Sequence, residues 1–361
     1  MSWPTWLPLR KDLQPLTPYG APQIPADAAL NTNENPYPPS EDLQKAITQA
    51  VAKVASTLNR YPDRDAEVLR SKLATYINER SMTSLESKNI WAANGSNEII
   101  QSLFLAFGEG VALGFTPSYS MHPLIAKVTG TKWIDGSRNS DLTFNLDLAV
   151  QSIREFKPQL TFITTPNNPT GDSIELADIN VLADEVSRCG GLLIVDEAYA
   201  EFSQEISATT LVSSKPQVVV IRTMSKAFAF AGARLGYLVA DTHVVESMML
   251  VRLPYHLSAL TQAAAQVALD HRIELLAGVN SLVSARESMV KSLQALGLTT
   301  LPSSANFLLF TGFSASAPQL WAGLLEKGVL IRDVGLSGYL RVTIGNEAEN
   351  QRFIQALQQL L

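Results

Sequence analysis

Lys226 stands in "RTMSKAFAFAGARLGY", Arg222 to Tyr237, and is followed by Ala227, Phe228, Ala229, Phe230 and Ala231, a run that makes a poor solvent face. A lysine so placed is a candidate for burial. Burial strips hydration from the ammonium, lowers its pKa and makes the nucleophilic neutral amine accessible. One use of such an amine is Schiff-base formation with a carbonyl. Thr223, Ser225 and Arg234 around it supply two hydroxyls and a fixed cation, a set suited to a phosphate group. A phosphorylated aldehyde satisfies both halves. On this segment alone, a loop lysine beside a buried helix start is an equal alternative.

Two further polar signatures follow strand-like runs: "LTFITTPNNPTG" carries Asn168, and "LLIVDEAY" ends with Asp196 and Tyr199. Ligands of open α/β sheets bind where strand ends meet loops, so all three segments are expected to converge on one pocket. An acid ending an apolar strand is costly unless it meets a cation or donors. A protonated pyridine nitrogen suits Asp196, because a fixed carboxylate raises the pKa of that nitrogen and keeps the ring an electron sink. Asn168 and Tyr199 could both hydrogen-bond a phenolic oxygen. Asp-Glu after a strand also marks nucleotide-hydrolase magnesium sites, but the glycine-rich Lys-Ser/Thr loop they require is missing from this sequence. "NNPTG" alone is an ordinary turn signal. The combination is more specific than its parts.

The elements that must position these residues read as an α/β fold: a large domain built on a mainly parallel sheet, an N-terminal arm, and a smaller α+β domain at the C-terminus. Residues 1–40, rich in proline and asparagine, form the arm. Residues 41–250 form the large domain. It opens with helical spacing at Leu43, Ala46, Ile47, Ala50, Val51 and Val54, the turn "NRYPDRD" and a second helix from about Ala66. "NGSNEIIQSLFLAF" reads as a turn feeding a helix, with Ser96 or Asn97 as its cap. The apolar runs "VALGF", "TKWID", "LTFITT", "LLIVDEAY", "VVVIRTMS" and "LGYLVAD" follow, several continuous and β-branched as doubly covered strands should be. Helical stretches such as "LADINVLADEVSRCG" separate them, as in a parallel sheet. Residues 251–361 carry the smaller domain, with "ANFLLF", "GVLIRDV" and "YLRVTIG" as its strand-like runs.

Composition narrows the classes. A hydrophobic fraction of 46% with 17% charged residues excludes a disordered chain, and a formal charge of −6 without a basic run argues against nucleic acid as a partner. Small molecules are the expected partners. A single cysteine, Cys189, rules out an intrachain disulfide and a cysteine-cluster metal site, and no metal is expected. The N-terminus lacks the apolar core of a signal peptide, and no run is long and apolar enough for a membrane span, so the expected location is cytoplasmic. Arg332 in "VLIRDV" and Arg341 in "YLRVTIG" lie in apolar runs where an arginine requires an anionic partner, whether a bound ligand or, for one of them, Asp333.

The "NNPTG" box, "DEAY" and "SKAFAFAGARLGY", with 226 − 196 = 30 positions from carboxylate to lysine, resemble the pyridoxal-phosphate aminotransferases of the aspartate aminotransferase fold. Nearly the whole chain takes part. Within that family "TPYGAP", "LNTNENPYPPS", "RYPD", "IWAANGSNEII", "PSYSMH" and "LRVTIG" are most similar to the histidinol-phosphate aminotransferases. The resemblance implies pyridoxal 5'-phosphate as cofactor, with Lys226 as its Schiff-base lysine and proton shuttle. It implies Asp196 on the pyridine nitrogen, Asn168 and Tyr199 on the ring oxygen, and Tyr119 stacked on the ring. Ser96, Asn97, Thr223, Ser225 and Arg234 would hold the phosphate, with Tyr61 reaching it from the neighbouring subunit of a homodimer. On the substrate side it implies Arg341 for the glutamate carboxylate and the substrate phosphate in turn, with Arg332, Asn35, and Tyr19 closing from the arm. The implied reaction is a ping-pong transamination of histidinol phosphate with 2-oxoglutarate in L-histidine biosynthesis. Three alternatives remain: an aromatic amino-acid aminotransferase, a phosphothreonine decarboxylase, and a non-catalytic regulator, for which the chain has no DNA-binding segment.

Overall fold

The computed structural model describes residues 3–18 and 20–361. The arm is irregular up to β1 (Ala28–Ala29), and a serine cap then starts α1 (Glu41–Ala55), where Ser40 Oγ accepts from the Leu43 N–H at 3.2 Å. After α2 (Glu67–Ser81) the chain enters β2 (Ile90–Ala93) and α3 (Ser96–Phe107). Alternation follows through β3 (Val111–Thr116), α4 (Met121–Thr129), β4 (Lys132–Ser137), α5 (Leu146–Phe156), β5 (Leu160–Thr164), α6 (Leu176–Arg188) and β6 (Leu192–Asp196). Then come β7 (Val218–Thr223), β8 (Gly236–Val239), α7 (Thr242–Val251), α8 (Ala259–Asp270) and the long α9 (Arg272–Ala295). The C-terminal part adds β9 (Thr299–Thr300), β10 (Phe307–Thr311), α10 (Ala317–Glu326), β11 (Val329–Leu330), β12 (Leu340–Thr343) and α11 (Glu347–Gln358).

One sheet of order β2-β8-β7-β6-β5-β3-β4 carries the core, with β8 antiparallel to its two neighbours and the rest parallel. Every residue of β5 and β7 is buried, which is why neither run alternates apolar with exposed polar residues. Burying each such valine, leucine or isoleucine contributes about 1.5–3 kcal/mol, enough to make the strand ends a rigid platform. Register aligns those ends: Thr164 lies opposite Asp196, and Asp196 opposite Ile221. The smaller sheet runs β12-β10-β9, and β1 of the arm pairs in parallel with β11. Two expectations change in detail. "IWAA" is a strand, β2, at the sheet edge. The cap of α3 is Gly95 at φ +83°, with Ser96 and Asn97 as the first helical residues.

Candidate active site

The loops leaving β3, β5, β6 and β7, the N-terminus of α3, residues 31–34 of the arm and the C-terminal arginines enclose a cavity of about 430 Å³, a volume in the range of small-molecule and cofactor sites. Ser96, Asn97, Tyr119, Asn168, Asp196, Tyr199, Thr223, Ser225, Lys226, Arg234, Arg332 and Arg341 all line it. These residues come from segments spanning most of the chain.

Lys226 follows β7, and its Nζ donates to the Thr32 carbonyl of the arm at 2.8 Å. Burial pushes its ammonium down from the ordinary 10.5 to about 8, and the Arg341 and Arg234 cations push the same way against Glu34. The direction is the one that the apolar run after Lys226 predicts. It has a stability consequence without cofactor. The folded chain binds this proton less tightly than the unfolded chain, so Lys226 destabilises the apoprotein fully below pH 8, and the penalty fades as pH rises from about 8 to 10.5. Lys226→Met apoprotein is expected to melt higher than the parent at pH 7, with the gap closing across that window. A gap independent of pH would contradict the burial argument.

Asp196 ends β6 and is buried; its Oδ2 lies 3.2 Å from His122 Nε2, and its Oδ1 accepts from the Ala198 N–H at 3.2 Å. His122 projects from α4 with its ring packed on Phe162 at 4.8 Å between centroids, and Tyr119 meets it edge-on. This histidine was missed by sequence reasoning, though it ends the quoted "PSYSMH". A second missed residue is Asn33, buried at φ +57°, whose Nδ2 donates to Tyr199 Oη at 2.8 Å. Its other groups bind Thr343 Oγ1 and the Asn306 amide, tying the arm to β12 and to the tyrosine at once.

The anion cup lies at the start of α3. A Cβ on Gly95 would stand 2.6 Å from Arg234 Nη2, and one on Gly236 would stand 2.6 Å from the Ser96 nitrogen. Only glycine at both places lets a guanidinium, a helix N-terminus and the start of β8 meet this closely, and a helix start is a ready site for phosphate. Thr223 Oγ1 donates to Ser225 Oγ at 3.0 Å, while Tyr119 Oη donates to Asn97 Oδ1 at 3.1 Å. Phosphate donors, a buried carboxylate and a softened amine in one cavity fit a phosphorylated aldehyde with a basic ring nitrogen.

On the opposite wall, Arg341 of β12 donates through Nη1 to Asn168 Oδ1 at 2.5 Å and through Nη2 to the Asn31 carbonyl at 2.7 Å. Arg332 and Arg341 exchange backbone hydrogen bonds at 3.0 and 2.9 Å, which sets both guanidinium stems beside one another. Asp333, weighed as a salt-bridge partner, accepts the Gly335 N–H through Oδ1 at 2.8 Å.

Of the remaining expected site residues, none is described as lining this cavity. Asn35 does not line the cavity; its Nδ2 donates to the Ala227 carbonyl at 3.3 Å, bracing the residue after Lys226. Tyr61 is 79% exposed, away from the cavity of its own chain, and stacks on Tyr255 at 4.3 Å. Tyr19 lies outside the described residues.

Residues 27–357 match the family model described as aminotransferase class I and II. The histidinol-phosphate aminotransferase of Mycobacterium sp. (strain JLS) is 52% identical over 358 residues, covering 98% of this chain and 94% of that protein. Among solved structures, the histidinol-phosphate aminotransferase of Sinorhizobium meliloti in complex with pyridoxal-5'-phosphate superposes with a TM-score of 0.85 at 20% identity, covering 98% of each chain. The L-threonine-O-3-phosphate decarboxylase of Porphyromonas gingivalis does so with a TM-score of 0.77 at 22% identity, covering 92% of this chain and 99% of that one. The fold alone therefore leaves the choice of broken bond open.

Proposed function

The chain belongs to the class I and II aminotransferases, and from that premise we propose that it interconverts histidinol phosphate plus 2-oxoglutarate and imidazole-acetol phosphate plus glutamate, as in L-histidine biosynthesis. The observation that carries the substrate choice is the pair Arg332 and Arg341 on the wall of the cavity that also holds Lys226. A substrate phosphate and the glutamate carboxylate both need cations outside the cofactor cup, and two adjacent guanidiniums serve each in turn. The name and 52% identity of the mycobacterial relative support the same reading.

Pyridoxal 5'-phosphate, when bound, supplies the carbonyl that captures the amine and the ring that takes up the electron pair released at the substrate α carbon. Lys226 Nζ moves the proton at that carbon, a task its lowered pKa suits near neutral pH. Asp196 would hold negative charge toward the ring nitrogen, with His122 orienting its Oδ2. Asn168 and Tyr199 would hold the ring oxygen, Tyr119 would cover the ring, and Ser96, Asn97, Thr223, Ser225 and Arg234 would hold the phosphate. Tyr19 would complete the substrate side, as the family resemblance implies, while Asn35 braces the residue after Lys226.

The same reading makes the protein a cytoplasmic homodimer built of an arm to residue 40, a large domain to 250 and a smaller one to 361. Exposed Leu250, Leu253 and Leu58, each within five residues in sequence of the Tyr61–Tyr255 stack, support a partner there, with Tyr61 reaching the partner's cofactor phosphate. No described helix is long and apolar enough to cross a membrane.

Arg341→Ala tests the anion site. Loss of a buried, hydrogen-bonded charge costs about 2 kcal/mol or more, so the KM for glutamate and for histidinol phosphate should each rise by roughly 30-fold or more. If both constants stay at the parent values, the arginine wall is not the anion site.

A further inference from the structure

Beneath the cavity, on the other face of the sheet, lies a polar cluster that the chemistry above does not use. Arg222 of β7 donates to Glu197 Oε2 at 2.6 Å through Nη1 and to Glu201 Oε1 at 2.7 Å through Nη2. Tyr76 of α2 donates to the same Glu201 oxygen at 2.9 Å. Ser207 Oγ and the Ala208 N–H each donate to Glu197 at 2.7 Å. All three charged side chains are at most 3% exposed.

Two of these residues stand next to residues that line the cavity, and Glu201 follows another on the same loop. Glu197 follows Asp196, Glu201 comes two residues after Tyr199, and Arg222 precedes Thr223 and lies four residues before Lys226. Successive side chains of a strand point to opposite faces, so the backbone that presents Asp196 and Thr223 to the cavity presents Glu197 and Arg222 to the cluster. One guanidinium thus clamps the loop after β6 to the end of β7 at two points, and α2 holds the far carboxylate. Burial beside the Glu201 carboxylate pushes the Tyr76 hydroxyl well up, which keeps it a donor.

We infer that the buried cluster of Arg222, Glu197, Glu201 and Tyr76 is a positioning device for the reaction, fixing Asp196 and Tyr199 relative to Lys226. None of the four lines the cavity; they act through the residues they clamp. The inference rests on the aminotransferase reading of the cavity but not on the choice of amino donor.

The test uses purified holoenzyme with Glu201→Gln and the milder Tyr76→Phe. A third variant, Glu185→Gln, serves as control because it removes a buried carboxylate held by Arg154 and Arg188 between α5 and α6, away from the cavity. Three quantities are read: the thermal midpoint, the pH midpoint of the visible band of the lysine-bound cofactor without substrate, and kcat against KM. Small displacements of catalytic groups are expensive, so Glu201→Gln should lower kcat by about tenfold with KM within about twofold. Its spectral midpoint should shift, and Tyr76→Phe should move both readouts the same way by less. Glu185→Gln should change only the thermal midpoint. If Glu201→Gln and Tyr76→Phe also change only the thermal midpoint, the cluster is mere scaffold and the inference fails. Should Glu201→Gln not fold, Tyr76→Phe decides by the same readouts. The spectral midpoint requires no amino donor, so an error in the proposed substrate leaves this test intact.

Discussion

Lys226→Ala is expected to lose turnover by more than about 10⁴-fold, the upper end of what a positioned acid or base contributes, because the variant also removes the nucleophile. The visible band of the lysine-bound cofactor should vanish with it. Cofactor can still bind, since the cup at Gly95, Ser96 and Arg234 does not use the lysine side chain. Retention of phosphate affinity with loss of the band therefore distinguishes removal of the amine from collapse of the site. An intact visible band in Lys226→Ala would sink the assignment of this lysine.

Asp196→Asn should keep the cofactor and lose most of the rate, by about 10²–10³-fold in kcat, the size of effect seen when one preorganised electrostatic group is removed. The substitution preserves shape, and the amide can still meet His122 and the Ala198 N–H. What it cannot keep is the negative charge that holds a proton on the ring nitrogen. Steady-state kinetics together with cofactor content checks this: normal content with near-normal kcat would mean that the carboxylate serves only packing.

The candidate site residues that line the cavity were the legible part of the sequence, because polar groups there stand where apolar patterning breaks. Asp196 ends five strand residues that are otherwise apolar, and Lys226 begins a run of alanines and phenylalanines. Doubly covered strands likewise announce themselves as continuous β-branched runs. His122 left no such trace, since a single histidine in a half-apolar helix gains meaning only when Asp196, 74 positions away, is placed against it. Asn33 is similar, for its role is set by Thr343 across 310 positions and by a positive φ that no local pattern displays. β2 escaped because four residues are too short for periodicity, and its pairing with β8 bridges the entire parallel core in sequence. The buried Arg222 cluster was hidden for the same reason as the cavity was visible. Glu197 and Arg222 sit inside the quoted motifs, next to Asp196 and Thr223, and drew no separate reading.

The most direct test of the central claim is one half-reaction. Holoenzyme is mixed separately with histidinol phosphate, phenylalanine and phosphothreonine, the visible band is followed, and the products are identified. Rapid loss of the band at low histidinol phosphate with formation of imidazole-acetol phosphate, and a much slower response to phenylalanine, is the predicted result. A preference for phenylalanine, or carbon dioxide release from phosphothreonine, would contradict the account.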